Sequence, residues 1–263
     1  MPELPDVEVM KRYLDSTSLH QKIREVELLD EKILRDVDAD TLGSRLRGRE
    51  ISSSDRHGKH LFARIDGTGY LTLHFGMTGF LRYYKNREER PEHCRMVIHF
   101  TGGYQLAYDL QRRLGRVGWT DDIRSYVRRL GLGPDPLSLS PEEFAQLLNK
   151  KRGMIKSALM DQGLMAGIGN IYSDEILYHA DIHPRADVTE LAGEDAGRLY
   201  RSMRRVLRVA VDARGDPQRM PDDWLLPLRD RGGTCPRCGG KLEKKKVGGR
   251  SSWYCRKHQR RPG

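Results

Sequence analysis

Two groups of residues in this chain have types and spacings that could do chemistry. Near the C-terminus, Cys235-Pro-Arg-Cys238 is followed after sixteen residues by Cys255-Arg-Lys-His258. Paired knuckles of this kind supply a tetrahedral zinc ion with two ligands each. The segments KLEKKKV and RSSWYC, joined by Gly248-Gly249, have the length of a hairpin that would bring the knuckles together. Cys235, Cys238, Cys255 and His258 leave no open coordination position, so one structural Zn2+ is expected, with no place for substrate. At the other end stands Met1-Pro2-Glu3. A methionine before proline is normally removed, which exposes a secondary amine. Such an amine condenses with an aldehyde to give an iminium, cationic at any pH, and an iminium is the electron sink that β-elimination needs. The amine precedes a helix start, whose dipole favours its neutral form, and Glu3 is placed to shuttle protons. The plainer account of Pro-Glu at this place is a helix N-terminal preference.

The elements that must position these groups fall into three regions. The length, 263 residues, suggests about two domains. The whole chain carries a net charge of +10, and residues 228–263 hold twelve basic residues against only Asp230 and Glu243. The first 227 residues are therefore neutral, and the basic end points to a polyanionic partner, most simply nucleic acid. A solvated, solubilising tail is the alternative. No run approaches the ~18 apolar residues of a membrane span, and MPELPDVEV lacks the apolar core of a secretory signal. Membrane and secreted classes are not expected.

Residues 1–130 open with a helix that has Pro5 in its first turn and Val7, Met10 and Leu14 on one face. Short strands follow. KHLFARI leads through Gly67-Thr68-Gly69 to YLTLHF, where Leu71, Leu73 and Phe75 alternate with Thr72 and His74 as in a half-buried strand. RMVIHF and YQLAYDL flank Gly102-Gly103 as a hairpin, and together these segments predict a β-sandwich. GLGPDPLSLS (131–140) reads as a linker. The region to 227 is helical: Ser140-Pro141-Glu142-Glu143 is a capping box, Leu199 to Val211 has helical periodicity, and a glycine-rich loop enters a helix near Asn170. Residues 228–263 form the cysteine-bearing hairpin. The expected class is α+β.

PELPDVEV, KHLF (59–62), HFGMTG (74–79), RRLGR (112–116), GIGNIYSDEIL (167–177) and the terminal finger occur in one order. Together they resemble the formamidopyrimidine-DNA glycosylase / endonuclease VIII family, end to end. The resemblance implies an N-terminal β-sandwich catalytic domain (1–130), a helical DNA-binding domain with a helix–two-turn–helix (131–227) and a zinc finger (228–263). It implies a bifunctional DNA glycosylase/AP lyase of base-excision repair, acting as a monomer on damaged double-stranded DNA, inside the cell alongside the genomic DNA. Pro2 would be the nucleophile at C1′, Glu3 the general acid/base, and Lys59 a contact to the phosphate at the lesion. His74, Arg113, Asn170 and Arg250 would bind phosphates. Met77, Arg112 and Leu114 would fill the void left by a flipped base, which offsets part of the few kcal/mol that flipping costs. Glu175 matches an acidic position of the family and reads equally as a helix-stabilising acid.

The sequence departs from the family pattern in four places. Asp6 replaces the usual glutamate. DLQRRLG has one residue more than the family's D-P-R-R-F-G and carries Leu114 in place of phenylalanine, so Gln111 or Arg112 faces the orphan base. The fourth zinc ligand is His258 rather than cysteine. The stretch before the finger is shorter than in members that cap 8-oxoguanine with a loop, which leaves the oxidised-purine and oxidised-pyrimidine branches both open. A rival from another class is a non-catalytic zinc-finger nucleic-acid-binding protein, in which Pro2, Glu3 and Lys59 are coincidences. A third reading is an AP lyase with little glycosylase activity.

Overall fold

The computed structural model describes residues 2–191, 193–229 and 233–260, except the side chain of Arg87. The chain forms two compact units: residues 6–130 together with the N-terminal Pro2, and residues 131 onward together with Glu3–Pro5.

The first unit is a β-sandwich. Its helices are α1 (Leu4–Ser18, shared at its start with the second unit), α2 (Ala39–Leu46) and α3 (Ile123–Arg129). Its strands are β1 (Ile23–Leu28), β2 (Leu34–Arg35), β3 (Ile51–His57), β4 (His60–Ile65), β5 (Tyr70–His74), β6 (Phe80–Tyr84), β7 (Cys94–Phe100), β8 (Gln105–Asp109) and β9 (Arg116–Thr120). One sheet has the order β1-β7-β8-β6, the other β2-β9-β5-β4-β3. All pairings are antiparallel except the short β2–β9 contact. The period-two pattern read from the sequence sets the core: Leu61, Ala63, Leu71, Leu73 and Val117 meet Met96, Ile98, Leu106 and Tyr108. Val7 and Leu14 of α1 and Leu42 and Leu46 of α2 join the same core.

One expectation changes here. β5 is buried on both faces, Thr72 included. The outer face of its sheet is covered by α3, where Tyr126 packs edge-on against Phe62 and His60. IRSYVRR carries no apolar stripe, so a helix there, covering that face, is not apparent from periodicity.

The second unit contains α4 (Pro141–Asn149), α5 (Ile155–Met160), α6 (Asn170–His179) and α7 (Gly193–Asp212), then the hairpin of β10 (Leu242–Val247) and β11 (Arg250–Cys255). The capping box at Ser140 is formed as expected: its hydroxyl accepts the Glu143 N–H while the Glu143 carboxylate accepts the Ser140 N–H. Leu199, Met203, Val206, Leu207 and Ala210 of α7 pack with Phe144, Ile155, Ile168, Tyr172, Ile176 and Trp224, and Leu4 enters this same core. Helix α6 is buried along Tyr172–Tyr178 without a break, although Ser173, Asp174 and Glu175 lie in that run. Buried polar groups at such positions must be partnered. Among the described residues no helix is long and apolar enough to cross a membrane.

Candidate functional site

In the helical unit the site begins at the first turn of α6. Gly169 precedes the helix, and its N–H and those of Ile171 and Tyr172 all point at one acceptor, the Glu3 carboxylate, at 2.7, 2.8 and 3.2 Å. These are N–H groups that a helix start leaves without partners, and an anion placed there also meets the positive end of the dipole. Glu3 is thus buried yet fixed from three directions. The fit needs glycine at 169, because a Cβ there would lie 2.5 Å from the Glu3 carboxyl carbon. Asn170, the first helical residue, has its side-chain Oδ1 buried with no hydrogen bond among the described residues. An amide left in that state at a helix start is suited to meeting a ligand.

Glu175 is not a helix-stabilising acid of the first turn. Its carboxylate accepts the N–H groups of Leu225 and Leu226 at 3.0 and 2.7 Å and lies 3.0 Å from His179 Nε2. It ties α6 to the segment leading to the finger, a partner fifty residues away that sequence proximity does not reveal.

In the finger, the ligand atoms of Cys235, Cys238, Cys255 and His258 all lie within 4.8 Å of one another. Cys235 Sγ is 3.2 Å from His258 Nε2, and Cys238 Sγ is 3.4 Å from Cys255 Sγ, as the edges of a small tetrahedron require. The remaining ring nitrogen of His258, Nδ1, is 2.8 Å from Asp181, the carboxylate–histidine arrangement that orients a zinc-bound imidazole. The Tyr178 hydroxyl lies 3.1 Å from Cys235 Sγ. The donor set fits one structural zinc. Arg250 stands at the start of β11, directly after the Gly248-Gly249 turn, and is exposed.

In the sandwich unit the candidates lie on turns. Gly58 and Lys59 join β3 to β4, with Gly58 at φ 56°. Arg56 braces this turn, donating to the Gly58 carbonyl at 3.2 Å and to Glu8 of α1 at 2.9 Å. Lys59 is only 8% exposed, unlike the solvated lysine such a turn ordinarily carries. His74 ends β5 opposite His60, with the two rings 4.9 Å apart. Burial first, then the charges of Lys59 and Arg116, brings the His74 pKa down to about 4. Burial, followed by the neighbouring His74, His57 and Lys59, brings that of His60 to about 3. Both rings are neutral at pH 7, and both line a cavity of about 410 Å³ beneath α3.

Met77 and the loop 111–114 come together in this unit. Gly76, at φ 59°, turns the chain so closely against the loop that a Cβ would sit 2.5 Å from the Leu114 carbonyl carbon and the Gly115 nitrogen. Thr78 Oγ1 accepts the Arg112 N–H at 3.2 Å. Leu114 is 46% exposed, Arg112 is exposed and Met77 is half-buried, so an apolar pair and a cation project from adjacent turns. The Arg113 guanidinium lies 3.1 Å from Asp30. Pro2 is half-buried.

The sandwich unit thus carries two glycine-framed turns, and the helical unit a carboxylate seated on a helix start and a four-ligand zinc hairpin. Residues 1–117 match the family described as the formamidopyrimidine-DNA glycosylase N-terminal domain, 132–221 its H2TH domain, and 232–257 the zinc finger found in FPG and IleRS. The formamidopyrimidine-DNA glycosylase of Pelotomaculum thermopropionicum is 34% identical over 270 residues, covering 97% of this chain and 98% of that protein. That of Solibacter usitatus is 38% identical, covering 82% of this chain and 79% of its own. Among solved structures, a complex of the LlFpg protein with a THF-DNA and an inhibitor superposes with a TM-score of 0.90 at 30% identity, covering 99% of this chain and 100% of that one. Lactococcus lactis Fpg bound to DNA containing an abasic site gives 0.88 at 29%, covering 98% and 100%. The chain belongs to the formamidopyrimidine-DNA glycosylase family.

Proposed function

We propose that this protein excises oxidised bases from double-stranded DNA and then cuts the strand at the abasic site. The observation that carries the reading is the Glu3 carboxylate, fixed by three N–H groups of the α6 start and adjacent in the chain to Pro2. Once Met1 is removed, the Pro2 nitrogen attacks C1′ of the damaged nucleotide. The N–C1′ bond forms, and the glycosidic bond breaks with its electron pair leaving on the base, which takes up a proton. Opening of the sugar ring at O4′, protonated by Glu3, gives the iminium. Loss of a C2′ proton expels the 3′ phosphate by β-elimination, and a second elimination expels the 5′ phosphate. Hydrolysis of the remaining iminium restores the proline amine. A carboxylate that must give and take protons in successive steps works best when held in one place.

The other residues serve binding. Lys59, cationic and largely withdrawn from water, suits the phosphate at the lesion, and His74 beside it is a second contact. Arg113, Asn170 and Arg250 bind further phosphates. Met77 and Leu114, with Arg112, occupy the void in the stack, where an exposed leucine beside a half-buried methionine on glycine-framed turns serves as a wedge rather than a packing fault. Zinc, when bound by Cys235, Cys238, Cys255 and His258, holds the finger folded. The non-catalytic DNA-binding alternative gives no account of a lysine buried in a turn or of a glutamate seated on a helix start. Damaged double-stranded DNA is the proposed partner, in keeping with the abasic-site complex of the Lactococcus lactis relative.

The test compares correctly processed protein with protein that retains Met1 or an N-terminal tag. Blocking the amine is expected to abolish strand cleavage and leave DNA binding intact. Undiminished cleavage by the blocked form would refute the proline mechanism. Running an oxidised-base duplex beside an abasic duplex separates glycosylase from lyase activity.

A further inference from the structure

Asp174 is 1% exposed and has no part in the chemistry above, yet three other segments of the helical unit converge on it. Oδ1 accepts Lys156 Nζ of α5 at 2.5 Å and the Ser252 hydroxyl of β11 at 2.6 Å. Oδ2 accepts the Trp253 N–H at 3.1 Å and Nε and Nη2 of Arg229 at 3.2 and 3.0 Å. Lys156 Nζ also donates to the Ser251 carbonyl at 3.3 Å, and Arg229 donates to the Asn170 carbonyl at 3.4 Å.

The hairpin register explains why β11 can be held this way. Val247 pairs with Arg250 across the turn, so in the alternating antiparallel pattern Ser251 and Trp253 turn their backbone groups away from β10. That open edge is what Lys156 and Asp174 occupy. At the tip, a Cβ on Gly248 would come 2.4 Å from Ser157 Oγ, so the turn backbone itself lies against α5. Zinc organises the finger internally, and the apolar contacts of Tyr178, Leu225 and Trp253 are non-directional. Directional contacts also reach the finger from Arg185, which donates to the Lys246 carbonyl, and between Arg237 and Asp181. At the β11 edge the directional element is one carboxylate between two cations, and buried ionic groups of this kind are weak evidence for stability but can select one arrangement among several.

We propose that Asp174 is the positioning residue of the finger: it seats the β11 edge so that Arg250, the residue immediately before the clamped segment, is held in register with Asn170 at the α6 start. This rests on the reading of Arg250 as a DNA contact. Through Arg229, the carboxylate that holds β11 is linked to the carbonyl of Asn170 itself.

The test is a double-mutant cycle on the full-length, zinc-loaded protein. Binding to a duplex with a tetrahydrofuran site is measured over a series of salt concentrations for D174N, R250A and D174N/R250A. Asp174→Asn is expected to weaken binding about tenfold and to flatten the salt dependence by about one phosphate contact, as Arg250→Ala does. The double variant should bind no more weakly than the weaker single one, because both remove the same contact. Losses that add fully would overturn the positioning role while leaving Arg250 as a contact. An Arg250→Ala variant with unchanged affinity and salt slope would overturn the contact, and the proposal with it. Should D174N lose zinc or fail to fold, Ser252→Ala removes one donor and leaves both ion pairs. Its smaller loss should likewise vanish in the R250A background, and persistence there would refute the proposal.

Discussion

The two units expose their chemistry in opposite ways. In the β-sandwich unit the candidate residues ride on turns: Lys59 between β3 and β4, Met77 beyond Gly76, and Arg112 to Leu114 beside them. In the helical unit the carboxylates gather on one buried helix, with Glu3 at its first turn and Asp174 and Glu175 within it, each holding backbone N–H groups from elsewhere in the chain, and Arg250 alone follows a turn. Exposed side chains on turns, such as Arg112 and Leu114, can project into a ligand and be replaced at little cost to the fold. Carboxylates that satisfy buried donors cannot, because their removal leaves those donors orphaned.

The largest effect should follow from Glu3→Gln. The amide still offers an oxygen to the helix start but cannot cycle a proton, so base excision should fall about 10²–10⁴-fold, the usual contribution of a general acid/base. Single-turnover kinetics on an oxidised-base duplex, with binding measured separately, checks this. A loss confined to affinity would move Glu3 out of the chemistry. Cys238→Ser comes next: it should release zinc, unfold the hairpin and weaken DNA binding, while the sandwich unit keeps its cooperative transition. Zinc analysis and hydrogen exchange would show whether the damage stops at the finger.

Leu114→Ala sharpens the contrast, since a side chain 46% exposed contributes little to the core. Stability should change by less than about 0.5 kcal/mol, while excision slows several-fold through loss of a wedge. A large drop in melting temperature would make Leu114 a packing residue. A last effect concerns pH. His60 and His74 have folded pKa values of about 3 and about 4, below the 6.5 of the unfolded chain. Between those limits the unfolded state binds protons that the folded state does not, so stability is full above pH 6.5 and declines as pH falls toward 4. His60→Phe should flatten that decline in denaturant midpoints measured at pH 7 and pH 5.

Spacing along the chain made the zinc ligands and the Ser140 capping box legible, because both depend on residues only a few positions apart within each element. The hairpins at Gly102-Gly103 and Gly248-Gly249 were legible for the same reason. What escaped depends on long-range burial. Lys59 reads as a solvated turn lysine until the turn is seen packed, and Thr72 reads as surface until α3 covers it. Glu175 reads as a helix-start acid until Leu225 and Leu226 bring their N–H groups to it. Asp174 carries no spacing signal, since its partners lie 18, 55, 78 and 79 residues away.

The proposed function turns on the Pro2 amine as nucleophile. Borohydride trapping of tag-free, zinc-loaded protein on an abasic duplex, followed by peptide mapping of the adduct, tests it most directly. The expected product is a covalent complex whose DNA is attached to the nitrogen of Pro2. An adduct attached to Lys59 or another lysine, or none at all from protein that binds the duplex, would contradict it.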